Sequence, residues 1–358
     1  MKIYKIGELF CGPGGIALGA EIANESLKQF TKSKLAHPWA VDNHKDTTET
    51  YLRNIKGASS ETILCEDVRR VSLDQLSSIS KTIDGFAYGF PCNDFSLVGE
   101  QKGIKGEFGP LYSYGLPILE KYNPSFFIAE NVAGIKSSNN GNTLLKIIKE
   151  LSAVGDGYEI TPHLYKFEDY GIPQARHRVI IVGIRKDLNL TFNPPAPLIG
   201  NKNKTCKAAI EIPPIKHDAP NNDKTIQSNT VIERLKYIKP GENAWNANIP
   251  ETLKLNVKGA KLSQIYKRLD PLKPAYTITG SGGGGTHVYH WEENRALTNR
   301  ERARLQTFPD NFVFVGSRES VRRQIGMAVP PEAASFIFEA IIKTLEGVNY
   351  EFVSPNIS

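Results

Sequence analysis

Short apolar runs alternate with segments of helical length along the first half of the chain. The helical segments include residues 15–30 and 142–154, and the apolar runs are IYKIGELF, HPWAVD, TILCED, IDGFAYGFP, SFFIAENV and RVIIVGI. This alternation is typical of an α/β domain in which helices cover a parallel sheet. Ligands of such sheets bind beyond the carboxyl ends of the strands, so the residues that end each run are the candidates for chemistry.

The first three runs end in groups suited to a nucleoside. The first leads into FCGPGG, where Gly12, Gly14 and Gly15 allow a sharp turn and a close approach of the backbone to a ligand. The second and third runs end in Asp42 and Asp67, which could accept hydrogen bonds from ribose hydroxyls and an adenine amino group. Each feature alone also fits helix packing or a helix cap. Together they indicate an adenosine-containing cofactor, and the absence of GxxxxGK[ST] disfavours a triphosphate.

A thiol and a carboxylic acid end the fourth and fifth runs. Cys92 follows the fourth run, and Glu130 of ENV ends the fifth, so we expect the two side chains to be neighbours. A buried cysteine is usually inert. The loop after Cys92 is polar and glycine-bearing through residue 109, which favours an exposed thiol under a mobile lid. A Cys/His hydrolase is disfavoured because His177 lies between two arginines and no histidine follows a neighbouring strand.

Two arginines precede the strand RVIIVGI. Arg176 and Arg178 alternate, so the sequence predicts that they share one face and project into the same site. Guanidinium groups beside Glu130 and a thiolate could hold a planar heterocycle and lower the pKa of the thiol. A pair of surface arginines is the alternative.

The positive charge of the chain is concentrated in one segment. The net charge is +6, and residues 186–275 contain 15 Lys and Arg against 8 Asp and Glu. This segment is rich in Asn, Pro and Lys and lacks helical periodicity, which predicts a domain boundary near residue 186. A basic segment is either solvated surface or a polyanion-binding domain.

The remaining composition is that of a soluble globular protein. The 358 residues are 40% hydrophobic, enough for a sizeable core. The four cysteines lie far apart without a CxxC pair, which argues against a disulfide framework and a metal site. We find no targeting sequence and no uninterrupted apolar stretch of 18 residues, so we expect a cytoplasmic protein without a membrane partner.

Six motifs together resemble the bacterial DNA (cytosine-5)-methyltransferases. They are FCGPGG, PCNDFS, ENV, QARHR, LTNRERARLQTFP and QIGMAVPP, in this order from residue 10 to residue 331. The resemblance implies a Rossmann-like catalytic domain for S-adenosylmethionine, formed by residues 1–185 and 322–358. It also implies a smaller, mostly β or irregular DNA-recognition domain at 186–321, with target recognition at about 186–273.

The resemblance implies a covalent mechanism on a cytosine flipped out of double-stranded DNA. Cys92 matches the nucleophile that adds to C6, because C5 is too weakly nucleophilic to take the methyl group directly. Glu130 matches the acid that hydrogen-bonds N3 and the exocyclic amine. Arg178 would contact the cytosine O2, and Arg176 would support the pocket and the nearby backbone.

Further contacts are implied motif by motif. DNA contacts are expected at Asn93, Ser96 and Gln174, and no metal is expected. Glu8 is placed for the methionine amino group of the cofactor and Asp42 for its ribose. The full set of expected cofactor contacts is Glu8, Phe10, Cys11, Gly12, Gly14, Gly15, Asp42, Asp67, Val68, Pro91, Leu111 and Ala328. The resemblance further implies a monomer that leaves S-adenosyl-L-homocysteine and protects the site of a cognate restriction endonuclease.

Three positions depart from the common family pattern. Asp42 replaces the usual Glu, Asn93 stands where Gln is frequent, and Met327 stands where Asn is frequent. Two other functions are the alternatives. A tRNA cytosine-5 methyltransferase of related fold usually has PCQPFT, which PCNDFS does not match, and needs no long recognition insert. A catalytically silent DNA-binding relative would be expected to lack Cys92, Glu130 or the glycine loop, and all three are present.

Overall fold

The computed structural model describes residues 1–90, 109–198, 204–256, 262–283 and 285–357. These residues form two compact units. Unit 1 is Met1–Lys166, His177–Pro197 and Val329–Ser358, and unit 2 is Phe167–Arg176 and Leu198–Ala328. Relative to the boundaries expected from the sequence, residues 186–197 therefore belong to unit 1, and residues 167–176 and 322–328 belong to unit 2.

A seven-stranded sheet runs through the described part of unit 1. The strands are β1 (Ile3–Leu9), β2 (Lys34–Asp42), β3 (Ile63–Cys65), β4 (Gly85–Tyr88), β5 (Phe126–Val132), β6 (Tyr158–Lys166) and β8 (His177–Arg185). Their order in the sheet is β3-β2-β1-β4-β5-β8-β6. The first five pair in parallel, so their carboxyl ends lie at one edge of the sheet.

The prediction of a parallel sheet is wrong for the last run, RVIIVGI. This run is β8, which pairs antiparallel with both β5 and β6. Its partner β6 was not predicted, because its polar alternation and Pro162 do not produce a continuous apolar run, and it lies at the edge of the sheet where proline is tolerated. Since β8 runs in the opposite direction, its first residues lie at the edge where the parallel strands end.

Helices cover the sheet of unit 1. They are α1 (Gly15–Leu27), α2 (Lys45–Asn54), α3 (Leu73–Ile79), α4 (Leu116–Tyr122), α5 (Asn142–Ala153) and α10 (Pro331–Glu346). Helices α1 and α10 pack closely, because a Cβ placed on Gly19 would lie 2.4 Å from the Cβ of Ala334. A Cβ placed on Gly15 would lie 2.2 Å from the carbonyl oxygen of Val329. Gly15 is therefore required for packing at the start of α1.

Unit 2 contains little regular structure among its described residues. Its strands β7 (Gln174–Ala175) and β9 (Ala275–Tyr276) pair in parallel, and its helices are α6 (Cys206–Glu211), α7 (Asn229–Leu235), α8 (Asn299–Leu305) and α9 (Arg318–Met327). Helix α8 begins with a capping box, in which Thr298 and Glu301 satisfy each other's backbone N–H groups. With so few strands and helices, many backbone carbonyls of this unit need donors outside regular secondary structure.

Buried arginines supply many of those donors. Arg300 donates to the carbonyls of Pro220, Pro309 and Phe312. Arg268 donates to those of Leu235, His290 and Glu293, and Arg304 to those of residues 209, 210 and 213. Each guanidinium thereby connects segments that are distant in sequence, as a strand ladder would.

One segment of the described chain, Arg318–Glu346, is long and apolar enough to cross a membrane by length and composition. The 18-residue stretch that meets this criterion is 72% buried inside the fold. Three non-helical residues, 328–330, divide it into α9 and α10. A buried, interrupted segment of this kind is typical of the core helices of a globular protein.

Candidate active site

The glycine loop after β1 is tied to the end of β2. The N–H of Gly12 donates to Oδ2 of Asp42 at 3.0 Å, and the N–H of His44 donates to Oδ1 at 3.0 Å. Gly12 and Gly14 have φ of 55° and 97°, which favours glycine at both positions. A Cβ placed on Gly12 would find no atom within 4 Å, so the loop borders open space there. Burial raises the pKa of Asp42, and the two N–H donors oppose that rise.

Glu8 is fully buried beneath this loop. Its Oε2 accepts from the hydroxyl of Tyr51 at 3.4 Å and lies 3.6 Å from Nε2 of His37. Its Oε1 has no hydrogen-bond partner among the described residues. Burial raises the pKa of the Glu8 carboxyl well above its ordinary value, although the Tyr51 hydrogen bond lowers it. His37 and Tyr51 were not predicted from the sequence, where the available signal was a histidine inside the apolar run HPWAVD.

Three expected cofactor contacts belong to one apolar cluster. Val68 and Leu111 are buried in the core of unit 1, and Phe10 packs against the same cluster with φ of 54°. These residues come from the ends of β1 and β3 and from the 3₁₀ helix Gly109–Gly115, which shows that distant segments meet there. Such a cluster offers an apolar wall to a planar ring.

Asp67 already has a strong partner. The guanidinium of Arg69 binds it through two hydrogen bonds, of 2.9 Å from Nε and 2.6 Å from Nη2. These bonds, with the N–H of Arg69, lower the pKa of Asp67 to about 2. Its carboxylate would have to share this ion pair with any amino group of a ligand.

The carboxylate of Glu130 forms an ion pair at the carboxyl edge of the sheet. Nε of Arg178 lies 2.9 Å from Oε1 of Glu130, and both side chains are largely buried, at 12% and 14% exposure. The pairing follows from the antiparallel β8, whose first residues lie beside the end of β5: Arg178 is opposite Val132. The arrangement presents a fixed carboxylate and a fixed guanidinium side by side.

The chain segment that leads to Cys92 passes close to this pair. A Cβ placed on Gly89 would lie 3.2 Å from Oε2 of Glu130. The carbonyl of Phe90 accepts from Nδ2 of Asn131, the residue after Glu130, at 3.4 Å. Cys92 itself lies outside the described residues, as do three other expected contacts, Pro91, Asn93 and Ser96.

Arg176 has different partners from Arg178. Its guanidinium is 2% exposed and donates to the carbonyls of Ile278, Gly326 and Ala328 at 3.0–3.2 Å, all within unit 2. The expectation that both arginines project into one site is therefore not supported. That Arg176 supports the cytosine pocket and the nearby backbone stays a prediction.

Gln174 is also part of the interior of unit 2. It is 0% exposed, and its amide donates to Gln306 and to the carbonyl of Leu305 while accepting from the N–H of Ile278. This placement gives no support to a DNA contact. Gln306, which sequence reasoning missed, also donates to the carbonyl of Ile325; a glutamine within the mostly apolar and basic RARLQTF was the available signal.

Comparison with known proteins identifies the family. The model of the C-5 cytosine-specific DNA methylase family matches residues 4–343. The chain is 52% identical to the Type II methyltransferase M.BbvI of Brevibacillus brevis, over 99% of this chain and 94% of that protein. It is 36% identical to the Type II methyltransferase M.NgoFVII of Neisseria gonorrhoeae, over 98% and 89%.

A solved structure has the same fold. A DNA modification methyltransferase encoded within an E. coli prophage matches with a TM-score of 0.73 and 24% identity, over 96% of this chain and 99% of that one. The solved structure shows the fold alone, whereas the family model and the two relatives show the family. The chain belongs to the C-5 cytosine-specific DNA methylase family and is a DNA (cytosine-5-)-methyltransferase, of a family that uses S-adenosylmethionine.

Proposed function

We propose that this enzyme methylates C5 of a cytosine flipped out of a specific double-stranded DNA sequence, through a covalent adduct between Cys92 and C6. The observation that carries the proposal is the ion pair of Glu130 and Arg178 beside the chain that leads to Cys92. A flipped cytosine needs all three kinds of group at one place: a nucleophile, an acid and a cation.

Each group has a separate task on the ring. The Cys92 thiolate adds to C6, which makes C5 nucleophilic. Glu130 hydrogen-bonds N3 and the exocyclic amine and stabilises the charge that develops at N3. Arg178 holds the carboxylate in place and donates to O2. Once C5 carries the methyl group, a base removes the C5 proton, the C5–C6 double bond forms again and the thiolate leaves.

The residues around the glycine loop fit S-adenosylmethionine. The bound cofactor supplies the electrophilic sulfonium methyl group. The open space at Gly12 accommodates a ligand against the backbone, and the unpartnered Oε1 of Glu8 is a buried acceptor for the cofactor's ammonium group. Phe10, Val68 and Leu111 offer the apolar wall for adenine. The other contacts proposed are Cys11, Gly14, Gly15, Asp42, Asp67, Pro91 and the backbone of Ala328.

We assign DNA recognition to unit 2 and cofactor chemistry to unit 1. The basic excess of residues 186–275 suits contact with phosphates. We further propose a cytoplasmic monomer that needs no metal, leaves S-adenosyl-L-homocysteine and acts as the modification component of a restriction-modification system. Its cognate endonuclease would cut the same sequence.

Two measurements test the proposal. Bisulfite sequencing of DNA from cells that express the protein should reveal methylated cytosines at one recurring sequence. Duplex that carries 5-fluorocytosine in that sequence should trap the wild type covalently, and Cys92→Ser should neither methylate nor be trapped while still binding DNA. Equal trapping of the serine variant would remove Cys92 from the mechanism.

A further inference from the structure

Arg302 differs from four other buried or half-buried arginines of unit 2. Arg176, Arg268, Arg300 and Arg304 each donate to at least three backbone carbonyls. Arg302 is just as buried, at 1% exposure, yet neither Nη1 nor Nη2 has a hydrogen-bond partner in the described part of the chain. A buried guanidinium without partners destabilises a fold. The Nη1 and Nη2 groups of Arg302 are therefore free to donate hydrogen bonds to an anionic ligand.

Arg302 lines a cavity that contains two more arginines. The cavity wall consists of Asp223, Thr225, His287, Leu297, Asn299, Arg302, Arg318 and Arg322. The loop of residues 280–283 fixes Arg322, because its Nε donates to the carbonyl of Gly280 at 3.3 Å. A Cβ placed on Gly282 would lie 2.4 Å from Cζ of Arg322, so glycine lets the loop rest on the guanidinium.

The cavity is positively charged at neutral pH. Three guanidiniums line the cavity, Asp223 lies 3.9 Å from Arg318 and Glu319 lies 3.8 Å from Arg322, so the guanidiniums exceed these carboxylates by one. Burial lowers the pKa of Arg302 to about 10, which leaves it charged. Burial and the nearby Arg302 and Arg322 lower the pKa of His287 to about 4, so this histidine is neutral. Its Nε2 accepts from the N–H of Gly283.

We propose that Arg302, Arg318 and Arg322 form a phosphate-binding site in unit 2 that holds one backbone phosphate of the DNA substrate. The inference rests on the proposed function for the source of the phosphate. Guanidiniums match the oxygens of a phosphate with paired hydrogen bonds. The exposure of the side chains increases from buried Arg302 through Arg322 at 15% to Arg318 at 60%, so the site is open to solvent on the Arg318 side.

The decisive variant is Arg302→Met, which removes the charge but keeps an unbranched side chain of similar length. Because the wild-type guanidinium lacks partners, this variant should raise the melting temperature of the free protein by a few degrees. It should also weaken binding equally to cognate and unrelated duplex and lower the slope of log affinity against log salt by about 1. A purely structural arginine would not combine a gain in stability with a loss of DNA affinity.

Arg300→Met is the matched control. Arg300 lies two residues away in α8, is equally buried and is fully bonded to carbonyls. Its replacement should lower the melting temperature and leave the salt slope of the folded protein unchanged. Arg318→Gln, at the exposed rim, should lower the slope by about 1 without destabilising the fold.

Three outcomes would overturn the site. One is that Arg302→Met melts lower, as Arg300→Met does, with an unchanged salt slope. Another is an unchanged slope in both Arg302→Met and Arg318→Gln. The third is that inorganic phosphate stabilises the wild type but not Arg302→Met while the slopes agree, which would make the cavity a free-anion site. Methylation of DNA by the wild type, read by bisulfite sequencing, tests the proposed function independently of these variants.

Discussion

The two units differ in the charge that they bury. At the carboxyl edge of the sheet, unit 1 encloses the acids Glu8, Asp42 and Glu130. Unit 2 instead encloses mainly arginines, most of them bonded to its own carbonyls, together with the acid Glu301, which binds Arg295. The sheet of unit 1 satisfies its backbone by strand pairing, so its buried side chains are available for ligands. In unit 2, arginines replace the missing ladder.

This difference matches the chemistry proposed for each unit. S-adenosylmethionine carries a sulfonium and an ammonium group, so buried carboxylates favour it electrostatically. DNA is a polyanion, which favours guanidiniums. Among the described residues, buried polar atoms without a hydrogen-bond partner include Oε1 of Glu8 in unit 1 and Nη1 and Nη2 of Arg302 in unit 2. Buried charged side chains with a full set of hydrogen bonds stabilise the fold, whereas those with unpartnered atoms are the candidates for ligand binding.

The largest effect is expected at Glu130. Glu130→Gln retains the shape of the side chain but cannot balance charge at N3, so single-turnover methylation should fall by about 10²–10³, or roughly 2.7–4 kcal/mol. Cofactor affinity and melting temperature should change little. Glu159→Gln is the control, because Glu159 is exposed on the edge strand β6. A methylation rate within a few-fold of wild type would remove Glu130 from the reacting site.

Arg176 tests the other side of the comparison. Arg176→Met leaves three buried carbonyls of unit 2 without a donor, which should lower the free energy of unfolding by about 3 kcal/mol or more in urea titrations. Arg178→Met, two residues away, should mainly lower the rate of methyl transfer. If the two variants lose the same free energy of unfolding and the same fraction of the methyl-transfer rate, the division of QARHR into a structural arginine and a reacting arginine is wrong.

Gln174 should give a smaller loss of the same kind. Gln174→Met removes the hydrogen bonds to Leu305, Gln306 and Ile278, and we expect a loss of about 2 kcal/mol in unfolding free energy. The DNA affinity of the folded fraction should match wild type in a fluorescence anisotropy titration. Lower DNA affinity at unchanged stability would instead support the DNA contact expected from the sequence.

The sequence predicts the sheet better than it predicts the partners of individual side chains. The strand-end residues Asp42 and Glu130 lie where the apolar runs indicate, because the carboxyl ends of parallel strands meet at one edge. The direction of β8 was not predictable from its own residues, since a buried strand is apolar in either direction. That direction is what brings Arg178 to Glu130.

Arg176 and Arg178 show why alternation along the sequence was not enough to predict that two side chains share a site. Arg176 and Arg178 alternate as a strand would, but Arg176 belongs to unit 2 and Arg178 begins the sheet of unit 1. Their partners are carbonyls from residues 278–328 in one case and a carboxylate in the other. Such long-range acceptors have no signature near QARHR. Whether the Nη groups of Arg302 find a hydrogen-bond partner likewise depends on which carbonyls the neighbouring arginines already bind.

The smallest change in unfolding free energy, taken over one pH unit, is expected from Glu8. Its pKa is raised in the fold, so between the unfolded value of about 4.3 and the folded value the unfolded chain loses a proton that the folded chain keeps. The stability that Glu8 contributes is thus fully present below pH 4.3 and is lost as pH rises through this window, by at most about 1.4 kcal/mol per pH unit. Tyr51, His37 and Asp42 are the titratable groups around it.

His37 has the opposite sign and must be separated from Glu8. Burial lowers the pKa of His37 to about 3, so its contribution rises with pH and is complete above about 6.5. The His37 contribution is common to wild type and Glu8→Gln, so we expect the unfolding free energy of wild type to fall, relative to Glu8→Gln, as pH increases above about 4.3 without cofactor. Glu8→Gln should also bind S-adenosylmethionine more weakly in calorimetry, because the amide cannot pair with the ammonium group. Parallel profiles of unfolding free energy against pH would mean that the fold does not raise the pKa of Glu8. Equal cofactor affinity of wild type and Glu8→Gln would mean that Glu8 does not bind the ammonium group of the cofactor.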